Sequence, residues 1–243
     1  MNGAIDRVVI TGASSGIGLD LARRFLAEGS RVVVNARDAD KLERARVELG
    51  GGDRLVAVAG DVSDPDTGPR LAQAAKRHFG GADVLVNNAG IFGAKPFLES
   101  TAADLDRFLA TNLRGTFLVT RAVAPLLVEA KGGAIVNVGT VLVEQPIGSI
   151  PCAAAMCSKG GVHAFTRSLA VELAPHRVRV SCVAPGIVRT PLIGDAADSL
   201  AKIHPLGRVG EVSEISDAVL YLARAAFVTG VVLDVDGGYA HGR

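Results

Sequence analysis

The sequence predicts an α/β fold in which a seven-stranded parallel sheet is doubly wound, with helices on both of its faces. Valine-rich segments alternate with longer amphipathic ones along the 243 residues, and strands that alternate with helices form parallel sheets through right-handed crossovers. Hydrophobic residues make up 49% of the chain and aromatic residues only 4%, a composition that suits strands buried on both faces by close-packed helices. The expected strands are one that begins at Arg7, then 31–35, 55–59, 83–86, 134–140, 178–183 and 231–235.

The helices are predicted from apolar residues that recur every three or four positions and from the residues that begin or end them. Leu21, Ala22, Phe25 and Leu26 form one such stripe, and Gly29 ends it. The other expected helices are 38–49 with Asp38 as the N-cap, one reaching about residue 79, 101–131 with a bend at Pro125, 154–174 and 211–225.

No linker, repeat or low-complexity tract divides the chain, so we expect a single domain over residues 1–243. The length alone would also allow two small domains. Prolines and Gly186 follow the sixth strand and are typical of a rigid connection from a strand to the next segment. They predict a lid over about residues 186–205 with a short helix that contains Leu200 and Ile203.

Charge and cysteine content exclude several classes of function. The formal net charge is +1, which gives no electrostatic reason to expect a nucleic acid or an anionic membrane as partner. No apolar run approaches the roughly 20 residues that span a bilayer, so we expect a cytoplasmic protein with a small-molecule ligand. Cys152, Cys157 and Cys182 lack the His or Cys neighbours of a zinc site, so they are expected to be free thiols and no metal is predicted.

A glycine-rich loop lies between the first strand and the first helix. Its glycines are Gly12, Gly16 and Gly18, preceded by Thr11. Glycine permits positive φ and close approach of a phosphate, and the amides that begin a helix carry partial positive charge. The loop therefore indicates a pyrophosphate site, although a tight strand-to-helix turn would use glycine as well.

The spacing of this loop resembles the cofactor loop of the short-chain dehydrogenase/reductase family, and further motifs carry the resemblance from Thr11 to Gly238. These motifs are Asp61-Val62, Asn87-Asn88-Ala89-Gly90, Asn112 with Gly115, Ser158-Lys159, Pro185-Gly186 and Asp236-Gly237-Gly238. The chain is similar to the members of that family that resemble 3-oxoacyl-carrier-protein reductases. The resemblance implies a Rossmann-type fold and hydride transfer between a nicotinamide and a carbonyl or alcohol. It also implies assembly as a homotetramer.

The resemblance also implies which residues contact the cofactor. They are Gly12, Ser14, Ser15, Gly16, Ile17, Gly18, Asp61, Val62, Asn88, Ala89, Gly90, Lys159, Pro185, Gly186, Val188 and Thr190.

Arg37 bears on the choice of cofactor, because it follows the second strand where a dinucleotide domain contacts the adenosine ribose. An acidic residue there would bind the ribose hydroxyls, whereas this chain has Ala36 and Arg37. A guanidinium binds a 2′-phosphate through paired hydrogen bonds. We therefore expect NADP(H) to be preferred over NAD(H), with a solvated arginine as the alternative interpretation.

The family moves a proton through an Asn-Ser-Tyr-Lys group, and this chain matches that group in part. The resemblance assigns Asn112 to the asparagine, Thr140 to the serine and Lys159 to the lysine. The tyrosine should stand four residues before Lys159, where this sequence has Ala155. A phenol exchanges a proton near neutral pH when nearby charge lowers its pKa. Alanine has no ionisable group, so it cannot replace the tyrosine in this role.

Several groups could take over the role of the missing phenol. They are Lys159 itself, a water held by Asn112 and Lys159, Glu144 on a loop slightly longer than is usual in the family, and Tyr239 reaching in from a neighbouring subunit. Cys152 and Cys157 are nearer in sequence, but small cysteines at a helix start are more often packing residues. We expect His163 to lie on the helix surface at a subunit contact and assign it no role.

These residues lead to one main hypothesis and two alternatives. The main hypothesis is an NADP(H)-dependent oxidoreductase with an altered proton relay, acting on a largely apolar carbonyl or alcohol. The apolar residues expected around the substrate are Leu142, Val143, Ile147, Ile150, Leu192 and Ile193. The first alternative is a cofactor-binding sensor or a structural subunit without catalysis, and the second is that Ala155 was introduced on purpose, against which the longer loop argues.

Overall fold

Seven parallel strands form one sheet in the order β3-β2-β1-β4-β5-β6-β7. The structure is a computed structural model and describes residues 5–191, 193 and 198–241. The strands are β1 (Arg7–Ile10), β2 (Arg31–Ala36), β3 (Leu55–Ala59), β4 (Val84–Asn87), β5 (Gly133–Val138), β6 (Val178–Pro185) and β7 (Val232–Val235). The predicted fold class is confirmed, and the predicted strand ends differ from these by two residues or fewer.

Helices cover both faces of the sheet. They are α1 (Gly16–Ala27), α2 (Ala39–Leu49), α3 (Thr67–Phe79), α4 (Ala102–Phe108), α5 (Gly115–Glu129), α6 (Ala153–Leu173) and α7 (Val212–Arg224). Successive side chains of a strand point to opposite faces, and β1 divides accordingly. Val8 and Ile10 pack into the apolar cluster that contains Leu21 of α1, whereas Val9 packs into the cluster that contains Leu71 of α3.

The helical stretch predicted over 101–131 consists of three consecutive segments. A π-helical segment, Leu109–Arg114, joins α4 to α5, and Pro125 lies within α5 without ending it. Gly115 follows the π-helical segment at a close approach, since a Cβ built there would lie 2.7 Å from Val62 Cγ2. The wide turn and the missing side chain together bring this helix against Val62 in the loop after β3.

Buried amides and hydroxyls connect the centre of the sheet to the helices beside it. Asn87 Nδ2 donates to Thr120 Oγ1 at 2.8 Å and to Asn137 Oδ1 at 2.9 Å. Asn137 Nδ2 in turn donates to Thr166 Oγ1 at 2.9 Å. Because buried polar groups stabilise a unique packing when they are paired, this chain of bonds fixes α5 and α6 relative to the ends of β4 and β5.

The segment after β6 belongs partly to the described residues. Val188 bridges to Gly210, and a 3-10 helix covers Asp198–Ile203, where the sequence predicted a short helix. Leu192 and residues 194–197 of the predicted lid lie outside the described residues. In the part of the chain that the structure describes, no helix has the length and apolar character needed to cross a membrane.

Candidate active site

A cleft of about 560 Å³ runs along the carboxyl ends of the strands. Residues that follow β1, β2, β3, β4, β5 and β6 line it. The sheet order reverses direction beside β1, where β2 pairs on one side and β4 on the other. Ligands of open parallel sheets bind at such a switch point, so the topology places the cleft at the position expected for a ligand.

Nearly all of the residues predicted to bind the cofactor or to act in catalysis line this cleft. The exceptions are Gly18 and Asn112, which do not line it. The lining residues that were predicted are Gly12, Ser14, Ser15, Gly16, Ile17, Arg37, Asp61, Val62, Asn88, Ala89, Gly90, Thr140, Lys159, Pro185, Gly186, Val188 and Thr190.

Hydrogen bonds tie the glycine-rich loop to the segment that follows β4. Thr11 Oγ1 accepts from the amides of Asn88, at 3.1 Å, and Ala89, at 3.0 Å. Asn88 Nδ2 donates to the carbonyl oxygens of Thr11 and Gly12, both at 3.0 Å. A Cβ on Gly12 would lie 2.8 Å from Ala89 Cα, and one on Gly18 would overlap the Gly12 carbonyl. The two chain segments therefore meet backbone to backbone, as only glycine allows.

The N-terminus of α1 faces this loop. The helix begins at Gly16, its first turn holds no acidic residue, and the Ser15 side chain makes no capping hydrogen bond. The first amides of a helix have no partner within the helix and attract anions. The loop and helix start therefore fit the pyrophosphate of a dinucleotide.

Two cations lie at the β2 end of the cleft. Arg37 is exposed over 74% of its side chain, and its Nη1 lies 3.9 Å from Asp61 Oδ2. Lys41 lines the same end of the cleft. It stands in the first turn of α2, where its amide donates to the capping Asp38 carboxylate at 2.9 Å. Partial burial raises the pKa of Asp61. Hydrogen bonds from Ser63 and the charge of Arg37 lower it by more, so the pKa of Asp61 lies below its usual value. Lys41 is not among the residues predicted for this end, although the predicted Asp38 cap is confirmed and binds the Lys41 amide.

Lys159 is the titratable group at the opposite end of the cleft. Its Nζ donates to the Val138 carbonyl oxygen at 2.6 Å. Burial lowers the pKa of Lys159 to about 8, and the nearby Cys182 opposes the shift. An ammonium with a pKa in this range exchanges protons at physiological pH. Lys159 therefore combines access to the cleft with the acidity that a proton donor needs.

Asn112 holds the wall behind Lys159. Its Oδ1 accepts from the Ile91 amide at 2.8 Å, and its Nδ2 donates to the Ile91 carbonyl at 3.0 Å and to Ser158 Oγ at 2.9 Å. Ser158 Oγ donates onward to the Ala155 carbonyl at 2.6 Å. The Asn112 side chain thus joins the π-helical segment to the loop after β4 and to the start of α6.

Thr140 and Ala155 line the cleft together with Lys159. Thr140 Oγ1 accepts from the Leu142 amide at 3.3 Å, which leaves its proton available to a ligand in the cleft. Ala155 lies one helical turn before Lys159 and is followed by Met156. No tyrosine is present among the described residues that line the cleft.

Tyr239 is close in the fold but does not line the cleft. It is buried in the same apolar cluster as Ala155, within its own chain, and its hydroxyl donates to the Pro146 carbonyl at 3.2 Å. The structure therefore places this phenol behind the cleft wall.

The remaining candidate acids also lie elsewhere. Cys157 is exposed, and burial raises the pKa of the Cys152 thiol, which lines a separate pocket of about 90 Å³. Glu144 lies outside the cleft lining, with its carboxylate near His163. Of the candidate acids named from the sequence, Lys159 is therefore the one that lines the cleft.

The expectation for His163 was wrong. Its side chain is 1% exposed. Helix α6 turns this position toward the end of β5, where a Cβ on Gly139 would overlap His163 Nε2. Burial lowers the pKa of His163, and the Glu144 carboxylate opposes that shift.

The apolar residues expected around the substrate divide into two groups. Leu142 and Ile193 line the cleft, where Phe92 and Met156 join them. Val143, Ile147 and Ile150 lie outside the lining, and Leu192 lies outside the described residues. Phe92 lies two residues after Gly90 and Met156 two residues before Ser158, but no periodicity marks them as cleft residues.

The sheet order, the glycine-rich loop and the cleft define a nucleotide-binding α/β protein. A family model described as enoyl-(acyl carrier protein) reductase matches residues 12–240. The chain belongs to the short-chain dehydrogenase/reductase family.

Named relatives and solved structures match along almost the whole chain. Galactitol 2-dehydrogenase (L-tagatose-forming) of Cereibacter sphaeroides is 39% identical over 241 residues, which covers 95% of this chain and 93% of that protein. The 3-oxoacyl-[acyl-carrier-protein] reductase of Homo sapiens is 36% identical over 236 residues, covering 96% and 98%. The crystal structure of 3-ketoacyl-(acyl-carrier-protein) reductase from Brucella melitensis complexed with NADH superposes with a TM-score of 0.91 at 34% identity, covering 97% and 98%.

Proposed function

We propose that this protein is an NADPH-dependent carbonyl reductase in which Lys159 replaces the usual tyrosine as proton donor. The observation that carries the proposal is the position of Lys159, whose Nζ lies in the cleft on the Val138 carbonyl and whose pKa is lowered to about 8. A bound nicotinamide would supply the hydride. The named relatives, which are dehydrogenases and reductases, support this reaction type.

The residues at the β1 and β2 ends of the cleft fit the nucleotide. The α1 amides and the glycine-rich loop would bind the pyrophosphate, and Asp61 and Val62 would flank the adenine. Arg37 and Lys41 lie at the end where a 2′-phosphate would bind, each 3.9 Å from a carboxylate, Asp61 and Asp38 respectively. Both cations could bind a phosphate through charge-assisted hydrogen bonds. Pro185, Gly186, Val188 and Thr190 would border the nicotinamide half.

The catalytic end provides an orienting group and an acid. The Thr140 hydroxyl would donate to the substrate carbonyl oxygen and fix its direction. As the carbonyl carbon gains a hydride, its oxygen gains negative charge and takes a proton from Lys159 Nζ, which becomes a neutral amine. Asn112 acts as a positioning residue, because it holds Ser158 and the loop at Ile91 in place.

The substrate would be largely apolar. Phe92, Leu142, Met156 and Ile193 line the cleft beyond Thr140, and the alanine at 155 adds room that a phenol would occupy. Residues 186–205 would act as a lid over this region. A single domain over 1–243 is consistent with the one continuous sheet.

Turnover tests the proposal. NADPH oxidation should be measured across a panel of aliphatic and aromatic ketones and aldehydes, with the wild type and Ala155→Tyr. An enzyme whose relay depends on Lys159 should turn over without the phenol and gain little from Ala155→Tyr. NADPH binding without any oxidation across the panel would contradict the proposal.

The absence of a tyrosine from the described cleft lining favours one second candidate, a sensor of NADP(H) or a structural subunit beside an active relative. Such a scaffold would bind the cofactor without turnover. Ala155→Tyr should then create activity where the wild type has none.

We also propose a homotetramer. Phe117 on α5 is exposed, and its ring lies 5.8 Å from that of the half-buried Phe165 on α6. Aromatic side chains that reach the surface suit a contact between subunits. Light scattering would test the assembly, and a monomer would contradict it.

A further inference from the structure

His163 is a buried titratable side chain that the proposed mechanism does not use. It lies one turn after Lys159 on α6 and is 1% exposed. Neither Nδ1 nor Nε2 has a hydrogen-bond partner among the described residues. Because buried polar groups are nearly always paired, an imidazole without partners inside a core is a candidate for a functional role.

The two ring nitrogens face different regions. Nδ1 lies 3.7 Å from Glu144 Oε1, and the Glu144 side chain is 48% exposed to solvent. Nε2 lies against Gly139, where any Cβ would overlap it. Gly139 follows Val138, whose carbonyl holds the Lys159 ammonium. The imidazole therefore lies between a carboxylate at the surface and the end of the strand that binds Lys159.

Other charged and titratable groups around His163 affect whether its ring can carry a proton. Arg167 on α6 lies 4.0 Å from the same Glu144 oxygen. Cys182 on β6 lies beside Gly139, but burial raises its thiol pKa to about 12, so it remains protonated. The positive charges of Lys159 and Arg167 disfavour protonation of His163, whereas the Glu144 carboxylate favours it. A proton on the imidazole would thus be transient, as a relay requires.

Given the function proposed above, we propose that Glu144 and His163 form the route by which a proton from solvent reaches Lys159. Carbonyl reduction consumes one proton for each hydride, and the donor amine must regain it before the next turnover. A proton from solvent first reaches His163 Nδ1 at the Glu144 carboxylate and gives a transient imidazolium. The imidazolium then passes its Nε2 proton on to the Lys159 amine, which restores the ammonium and leaves a neutral imidazole. No atom is consumed other than the solvent proton.

The route can be tested on the protein saturated with NADP⁺, which would cover the side of Lys159 that lines the cleft. Nitrogen-15 labelling of lysine allows the exchange of the Lys159 ammonium hydrogens with water to be measured by NMR. His163→Gln keeps a polar side chain in the site but removes the titrating ring, and Glu144→Gln removes the carboxylate at a half-exposed position where folding is not at risk. Both substitutions should slow exchange by about 100-fold or more, the lower end of the range for loss of a proton-transfer group.

Steady-state turnover gives the second measurement. In both variants the first turnover should keep its rate, because Lys159 starts protonated, while later turnovers slow and show a larger solvent isotope effect. Glu172→Gln is the matched control, since Glu172 is an exposed carboxylate on α6 that accepts from Ser168 at 3.2 Å. It should leave both measurements unchanged.

Unchanged Lys159 exchange in Glu144→Gln and His163→Gln would overturn the proposal. This result is distinct from failure of the proposed function, in which the wild type would show no turnover while the exchange measurement could still succeed. If His163→Gln does not fold, Glu144→Gln alone decides. Equal slowing in Glu172→Gln would also contradict the route, because it would assign the effect to surface charge.

Discussion

The two ends of the cleft are built in different ways. At the nucleotide end, the surface is mainly backbone, held by hydrogen bonds among Thr11, Gly12 and Asn88. At the catalytic end, the surface is made by side chains on one face of α6, among them Ala155 and Lys159. Backbone packing tolerates few substitutions, whereas a side chain on a helix face can change without altering the fold. The binding function can therefore persist while the chemistry changes.

This difference predicts separate consequences for the two ends. Substitutions among the side chains of α6 should change turnover more than cofactor affinity. Substitutions in the backbone-lined end should change cofactor affinity together with stability.

The largest effect is expected for Lys159→Met at the catalytic end. Loss of the ammonium removes the proposed proton donor and should reduce kcat by about 100-fold or more, within the usual range for general acid catalysis. NADPH oxidation with a ketone substrate measures it, and the melting temperature shows whether the variant folds. Lys76→Met is the control, because Lys76 forms an exposed ion pair with Glu129 far from the cleft. Activity within a few-fold of wild type would show that another group donates the proton.

At the nucleotide end, Gly18→Ala should affect binding and stability together. The added Cβ overlaps the Gly12 carbonyl, and overpacking of this kind costs about 1–3 kcal/mol. Chemical denaturation measures the free energy of unfolding, and calorimetry measures NADPH affinity. Gly148→Ala is the matched control, since a Cβ there meets nothing within 4 Å. An unchanged affinity in Gly18→Ala would contradict the backbone-to-backbone description of this end.

The pH dependence should come from the catalytic end. Reduction requires Lys159 with its proton, so kcat/KM should be constant at low pH and fall about tenfold per unit above the pKa of about 8. Oxidation of the product alcohol requires the neutral amine and should rise with pH through the same region. Both profiles are measured at saturating cofactor. A reduction profile that stays flat from neutral pH to well above this pKa would exclude Lys159 as the donor.

The parts predicted from sequence follow the same division between backbone and side chains. Local patterns of apolar residues, caps and glycines predict the strands, the Asp38 cap and the glycine-rich loop as part of the cleft lining. The structure contains all three. The positions of Val143 and Ile147 depend on the path of a loop that has no repeating pattern, and neither lines the cleft.

His163 shows that a useful signal was present in the sequence. Ala155, Lys159 and His163 are spaced by four residues, so they share one face of α6. If Lys159 faces the end of β5, the residue one turn later must face the sheet as well. The surface position expected for His163 at a subunit contact does not follow from this spacing, and the burial of the ring corrects it.

The smallest expected effect is at the exposed edge of the nucleotide end. Arg37→Ala should weaken NADPH binding by about tenfold or less, because an arginine exposed over 74% of its side chain binds phosphate through screened charge. NADH affinity should stay the same, since NADH lacks the 2′-phosphate that Arg37 is proposed to contact. Calorimetry with both cofactors at low and high salt measures this, and Arg77→Ala, an exposed arginine on α3, controls for a general loss of positive charge. A wild-type preference for NADH, or equal weakening of both cofactors in Arg37→Ala, would show that this end of the cleft does not select the phosphate.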